Sequence, residues 1–292
     1  MNRFSNRTFV TLALLGLASS SVVAQQREVA KPAATPHIIG AAKLIIGDVK
    51  QNQTYYEQMF GMKEVSHFSS AGVYDEPIMG LQEGDARLAL FSPLAEKPIK
   101  KSQYPVVLIY TAEFDAITKR IEDAKQPLNR LPASQSGTFR IAIARDPSGN
   151  AVEILSRPGK TEVGGSKLIV DDRQKAEDFY IRIFGAAAGQ RFKTAAYDEV
   201  LMQFGQGPFL ALFQPLTEAP LPKSRFPVVA IYTTDFDAVL KRVQDAGLGY
   251  REIKSSSPDS RIIIAQDPAG NAIEIIRRAP GAPASLAPPA KK

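Results

Sequence analysis

The 292-residue chain contains no cysteine and no tryptophan, and only two histidines, His37 and His67. Without cysteine it forms no disulfide and has neither a thiol nucleophile nor a thiolate metal ligand. Both histidines lie in the first half, so a Ser-His-Asp arrangement is excluded from the second. No apolar run is long enough to cross a bilayer as a helix, which takes about 20 residues, so the membrane is not an expected partner. Runs of Lys and Arg are also missing. The 36 basic and 30 acidic residues leave a net charge of +6, a small excess for this length, and nucleic acid is not an expected partner either. No phosphate-binding loop or dinucleotide fingerprint occurs. Gly-rich runs such as Phe204-Gly205-Gln206-Gly207 lack the strand-to-helix setting those motifs need.

The first 24 residues carry the pattern of a secretory signal peptide. Arg3 and Arg7 precede an apolar core from Phe9 to Ala18, and Val22-Val23-Ala24 supplies small residues for cleavage. The expected location of the mature protein is therefore periplasmic or secreted. Residues 25–36 and 279–292 are rich in Pro and Ala and read as a disordered linker and a disordered tail.

Between those ends the chain repeats itself. Ala144-Arg145-Asp146-Pro147-Ser148-Gly149-Asn150-Ala151-Val152-Glu153-Ile154 returns as Ala265-Gln266-Asp267-Pro268-Ala269-Gly270-Asn271-Ala272-Ile273-Glu274-Ile275. Each copy reads as strand, tight turn, strand. Further matches run the length of both halves: Tyr56 and Phe60-Gly61 with Tyr180 and Phe184-Gly185, Tyr74-Asp75-Glu76 with Tyr197-Asp198-Glu199, and Phe114-Asp115-Ala116 with Phe236-Asp237-Ala238. Such a period is far longer than a solenoid unit and signals duplicated domains. We place them at 37–157 and 166–278, joined by a polar, Gly-rich linker at 158–165. Apolar periodicity gives the order β-α-β-β-β twice in each half. The expected class is α+β, with paired βαβββ modules forming cup-shaped, eight-stranded mixed sheets and helices outside.

These features resemble the vicinal-oxygen-chelate superfamily, which includes glyoxalase I, bleomycin-resistance proteins and extradiol dioxygenases. The resemblance rests on the strand running through Asp48 or Asp172 into a helix with Tyr-x-x-x-Phe-Gly, and on the Asp-Pro-x-Gly-Asn-x-x-Glu-Ile hairpin. It is specific for fold and weak for activity, because the superfamily hosts several chemistries.

The resemblance implies one divalent metal on each cup floor, held by side chains from several strands. The implied ligand slots fall on Ala41 and Gly165 in the first strands, Ala89 and Ala211 in the fourth, and Val106 and Val228 in the fifth. Only the last-strand slots, Glu153 and Glu274, offer a ligand atom. One carboxylate does not make a site that needs at least three protein ligands. His37 lies four residues from Ala41, about 13 Å along an extended strand, and His67 reads as a sheet or rim residue. No metal and no other cofactor is expected.

Glu153 and Glu274 remain as candidate ligand contacts or general bases. Arg140 and Arg261, six residues before each turn Asp, could pair with them or hold an anion. Tyr74 and Tyr197 are candidate rim contacts, whereas Tyr110 and Tyr232 read as packing beneath the second helix of each half. Lys43 and Lys167 are unusual charges on otherwise apolar strands, expected at a pocket mouth or a domain interface. Three functions are open: a small-molecule binder, a metal-independent enzyme using Glu153 or Glu274 as base, and an interaction protein with self-filled cups. The halves are expected to pair within the chain, imitating the dimer of single-domain relatives.

Overall fold

The computed structural model describes residues 35–95, 101–132, 139–205, 207–217, 223–253 and 261–279. The expected signal peptide lies outside these residues, as do the expected tail beyond residue 279 and all but the end of the 25–36 segment. The order βαβββ occurs four times. The first module is β1 (His37–Ile45), α1 (Val49–Phe60), β2 (Lys63–Ser70), β3 (Tyr74–Gly80) and β4 (Arg87–Pro93). The second is β5 (Val107–Thr111), α2 (Phe114–Asp123), β6 (Leu128–Arg130), β7 (Ile141–Arg145) and β8 (Ala151–Ser156). The third comprises β9 (Glu162–Ile169), α3 (Arg173–Phe184), β10 (Ala187–Lys193), β11 (Tyr197–Gln203) and β12 (Phe209–Pro215). The fourth comprises β13 (Val229–Thr233), α4 (Phe236–Asp245), β14 (Tyr250–Ile253), β15 (Ile262–Gln266) and β16 (Ala272–Arg277).

The helices start and stop where local chemistry directs. Asp48 caps α1 by accepting from the Gln51 amide at 2.8 Å, and Asp172 caps α3 through Lys175. Gly61 and Gly185 end these helices at φ 72° and 63°, the left-handed conformation that glycine adopts without strain.

Two eight-stranded mixed sheets result, as the modular pattern predicts, but their membership crosses the halves. One sheet has the order β14-β15-β16-β13-β1-β4-β3-β2 and the other β10-β11-β12-β9-β5-β8-β7-β6. The first module therefore shares a sheet with the fourth, and the second with the third. The seams are antiparallel: β1 on β13, with Ile38 opposite Tyr232 and Ala42 opposite Val229, and β5 on β9, with Val107 opposite Ser166. We call the concave faces cup A (modules one and four) and cup B (modules two and three).

The apolar cores follow the other pairing. Leu44 on β1, Tyr56 and Phe60 on α1, Ile109 on β5, Ile117 and Ile121 on α2, and Ile154 on β8 form one buried cluster within the first half. Leu168, Tyr180, Phe184, Ile231, Val239 and Ile275 form its counterpart, made almost wholly of second-half residues. Each half thus buries its two helical modules together. The hydrogen-bonding edges of β1 and β5 remain for the partner half.

The repeated hairpin ties these layers. Asp146 accepts from the Asn150 amide and from Asn150 Nδ2, both at 2.8 Å, and from Tyr56 Oη at 3.2 Å. Asn150 Nδ2 also donates to the Ile45 carbonyl at 3.1 Å, at the end of β1. Asp267, Asn271, Tyr180 and the Ile169 carbonyl repeat the arrangement. The hairpin therefore joins a strand of one sheet to a strand of the other.

The linker is shorter than the sequence suggests. Glu162 to Gly165 belong to β9, and its glycines serve close approach rather than flexibility. A Cβ on Gly164 would lie 2.2 Å from Tyr110 Cδ2, and one on Gly165 would lie 2.5 Å from the Phe209 carbonyl oxygen.

Candidate functional site

Strand alternation sends Ala42 and Leu44 into the helical core and Lys43 to the opposite, concave face. There Lys43 Nζ sits 2.7 Å from Glu76 Oε1 and 2.7 Å from Glu274 Oε2. Cup B repeats the cluster: Lys167 Nζ lies 2.8 Å from Glu153 Oε2 and 2.9 Å from Glu199 Oε1. All six side chains are at most 14% exposed. Each cup floor thus holds one ammonium between two carboxylates, contributed by three strands and both halves of the chain.

Burial alone would push the Lys43 ammonium down. The charges of Glu274 and Glu76 outweigh it and raise the group above the usual lysine range; Glu153 and Glu199 do the same for Lys167. Burial raises the carboxyls of Glu76 and Glu199, with the lysine acting in the opposite sense. Only the contact from Lys43 to Glu274 is an aligned hydrogen bond. Glu76 Oε1, Glu153 Oε2 and Glu199 Oε1 are approached by charge without an aligned donor.

Aromatic side chains flank each cluster. Lys43 Nζ lies 5.7 Å from the Phe91 ring centre and Lys167 Nζ 5.1 Å from that of Phe213. Tyr74 stacks on Phe91 at 5.5 Å, and Tyr197 on Phe213 at 5.1 Å. Phe226 and Tyr104, equivalent positions of the repeat, reach across to Phe91 and Phe213 from the other half.

The remaining predicted residues divide between the two faces. Ala41 is buried beside Ala230, Ala89 pairs with Lys43, and Ala211 with Lys167. Val106 and Val228 pack against the helical cores. Arg140 and Arg261 do not reach the cups. Arg140 binds Asp115 at 2.6 Å over the Phe114 ring, and Arg261 binds Asp237 at 2.5 Å over Phe236. They share strand parity with Ala142 and Ile263, which point to the helices, so they brace helix starts instead of holding an anion.

Tyr110 and Tyr232 correct the opposite way. They lie on the concave face, their rings crossing Gly164 and Gly40, not beneath the helices. His37 is buried, with Nδ1 2.8 Å from Thr233 Oγ1. Burial, then the charge of Arg242, against that of Asp235, lowers its pKa to about 4. His67 is an exposed strand residue between Glu64 and Asp75. Sequence reasoning missed Glu76 and Glu199. The available signal was their recurrence two residues after Tyr74 and Tyr197, on the same strand face.

Beside cup B a cleft of about 540 Å3 opens at the seam between the halves. Its lining includes the apolar and ring side chains of Tyr110, Leu201 and Phe209 and the polar ones of Arg157, Glu162 and Gln190. Deeper in the cup, Leu108, Leu155, Phe209 and Ala211 pack together, so cup B is partly filled by its own side chains. Among the described residues no three His, Cys, Asp or Glu side chains converge as a metal site. No described helix is long and apolar enough to cross a membrane.

A family model described as the Glyoxalase/Bleomycin resistance protein/Dioxygenase superfamily matches residues 36–154 and 163–275. The anthracycline biosynthesis protein DnrV of Streptomyces peucetius is 27% identical over 191 residues, covering 61% of this chain and 67% of that protein. DauV of Streptomyces sp. (strain C5), also an anthracycline biosynthesis protein, is 31% identical over 105 residues, covering 32% of this chain and 38% of DauV. Glyoxalase I from Zea mays superposes with a TM-score of 0.69 at 18% identity, over 82% of this chain and 92% of that one. A putative dioxygenase from Bacillus subtilis superposes with a TM-score of 0.64 at 17% identity, over 86% and 87% of the two chains. At these identities the likeness is one of fold.

Proposed function

Starting from the Glyoxalase/Bleomycin resistance protein/Dioxygenase superfamily, to which the chain belongs, we propose an exported protein that binds a small molecule in its cups, with a lysine ammonium as the positive centre. The observation that carries this reading is the placement of Lys43 and Lys167 within 2.9 Å of the last-strand glutamates and of a second carboxylate each. The family's metal does not fit these residues. A divalent ion needs at least three ligand atoms with lone pairs. Here the third group is an ammonium, held charged by both carboxylates, which has no lone pair to give. The small side chains of Ala41, Ala89 and Ala211 and the flanking aromatics suit an apolar ligand with a few polar contacts.

The chemistry of an ammonium differs from that of a metal. Two of its three N–H groups face carboxylates, and the third can donate to a ligand oxygen. A second reading, a metal-independent lyase or isomerase, adds Glu76 and Glu199 to Glu153 and Glu274 as candidate bases, because burial raises their carboxyls above the usual range against the pull of the lysine.

Metal analysis together with a thermal-shift screen tests the binder. The purified protein is expected to carry no stoichiometric Zn2+, Ni2+ or Fe2+. Aromatic compounds, an anthracycline among them because two relatives are named for anthracycline biosynthesis, are expected to raise its melting midpoint. Lys43→Met and Lys167→Met should diminish that shift. One tightly held metal per cup, lost in Glu153→Ala and Glu274→Ala, refutes the ammonium assignment, and a midpoint unmoved by every compound refutes binding. Turnover abolished by Glu76→Gln or Glu199→Gln promotes the enzyme. Export predicts a mature N-terminus at Gln25 in the periplasmic or culture fraction.

A further inference from the structure

The two cups share their floors but not their mouths. In cup A, Arg87 pairs with Ala41 and lies two residues before Ala89, the partner of Lys43. Strand alternation therefore puts its side chain on the concave face, about 7 Å outward along the strand from the level of the ammonium. The counterpart in cup B is Phe209, which pairs with Gly165 as Arg87 does with Ala41. A second difference makes room for the first. Gly80, beside Arg87 on β3, stands where cup B has Gln203, and a Cβ there would run into Arg87 Nη1. The guanidinium thus rests against the backbone of β3, with Nη1 donating to the Gln82 carbonyl at 2.8 Å. Its other edge is open. Nε and Nη2 of the half-buried Arg87 make no hydrogen bond and are not buried, and among the described residues no carboxylate pairs with it. The same two nitrogens of Arg130 grip Glu122 at 2.9 and 3.1 Å, the fork that matches the two oxygens of a carboxylate.

The rest of the mouth has the same sign. Arg278 follows β16 at the repeat position of Arg157, its amide donating to the Thr233 carbonyl as that of Arg157 does to Thr111. Arg157 and Phe209 line one cleft, so their counterparts Arg278 and Arg87 border the corresponding mouth of cup A. Arg157 is balanced by Glu162, which stands opposite Tyr110, whereas Ile38 takes that place opposite Tyr232. The Tyr232 phenol, pushed up to about 12 by burial, feels Glu274, Lys43 and Glu76 from the floor and Arg278 from the mouth. Two carboxylates to one ammonium make the floor unwelcoming to an anion, and the guanidinium edge outward of it welcoming. Ile78, half-buried on the same face of β3, and Tyr232 offer apolar and ring contact between the two. We propose that cup A takes an organic anion, a carboxylate on a ring-bearing apolar body. Arg87 holds the carboxylate through Nε and Nη2, and the body points toward the floor. Cup B, with Phe209 in that position, lacks the site. This deepens the small-molecule reading given above and rests on it.

Isothermal titration of the purified full chain with two probes of one shape, 1-naphthylacetate and 2-(1-naphthyl)ethanol, tests the proposal. The acid is expected to bind at one site per chain, about tenfold or more tightly than the alcohol. Arg87→Phe, which copies the residue of cup B, should weaken the acid about tenfold and leave the alcohol unchanged. Arg87→Lys keeps the charge without the fork and should weaken the acid severalfold; it decides the matter if Arg87→Phe lowers the melting midpoint. Equal or tighter binding of the alcohol overturns the proposal, as do two equal acid sites per chain or an acid affinity indifferent to both variants. So does the absence of heat from the acid at millimolar concentration. A compound from the thermal screen lost in Lys43→Met but indifferent to Arg87→Phe keeps the binding protein and removes this site.

Discussion

Lys43 and Lys167 each face two carboxylates in a space water scarcely reaches, and the consequence can be measured. Removing the ammonium by Lys167→Met leaves Glu153 and Glu199 as like charges, 11% and 10% exposed, without compensation. Breaking a buried ion pair from one side costs about 3 to 5 kcal/mol. The variant's carboxyls are then raised above their unfolded values, so stability is lost as pH rises through the folded-state values and recovered as pH falls. Urea denaturation of Lys167→Met against wild type should show a deficit of about that size at pH 7.5, shrinking toward pH 5. The triple variant Lys167→Met/Glu153→Gln/Glu199→Gln should recover much of it. A deficit that does not depend on pH would contradict the charge account. At this scale the sequence was half legible. Glu153 stood out because the hairpin repeats. Lys167 stood out as a charge on an apolar strand but not as its partner, and Glu199 did not stand out, because the three meet only through strand pairing in the folded sheet. Period-two counting along β3 and β11 would have placed Glu76 and Glu199 on the floor, and along β7 and β15 would have removed Arg140 and Arg261 from it.

At the scale of elements, the repeated turn acts as a clamp. Asn150 satisfies Asp146 twice and reaches the last carbonyl of β1, all in buried surroundings. Tyr56 closes the same group from α1. Asn150→Ala removes both side-chain bonds and leaves buried acceptors behind, an expected loss of about 2 to 4 kcal/mol. Asn271→Ala should cost about the same through Asp267 and Ile169. Exposed braces behave differently. Arg140→Ala breaks a pair with Asp115, which is 74% exposed, and should change stability by less than about 1 kcal/mol and ligand binding not at all. Chemical denaturation of the three variants checks the ranking. Equal losses at Asn150 and Arg140 would deny the clamp. The order of strands and helices was readable here because periodicity and capping are local. The role of Gly164 and Gly165 was not, since their glycine character answers to Tyr110 and the Phe209 carbonyl, residues far away in the chain.

At the scale of the whole molecule, two pairings run at cross purposes: apolar cores unite modules within a half, and sheets unite modules between halves. Period and composition delimit the halves but say nothing of which strand edges meet, because edges are defined by backbone hydrogen bonds rather than by side-chain type. Each cluster therefore sits on a seam, with Glu274 supplied to Lys43 by the last strand of the chain and Glu153 to Lys167 by the strand before the linker. A polypeptide of residues 35–157 keeps its own helical core but exposes the edges of β1 and β5, which in the intact chain pair with β13 and β9. It is also left with Lys43 and Glu76 without Glu274, and Glu153 without Lys167. Unpaired edges of this kind seek partners. Expressed separately, 35–157 and 158–279 should each be self-associated or poorly soluble. Mixed, they should form a one-to-one complex with the far-ultraviolet dichroism and ligand-induced melting shift of the intact chain. Native mass spectrometry and thermal shift read the two properties independently. If each half stays a soluble monomer and binds ligand unaided, the cups do not depend on the seam.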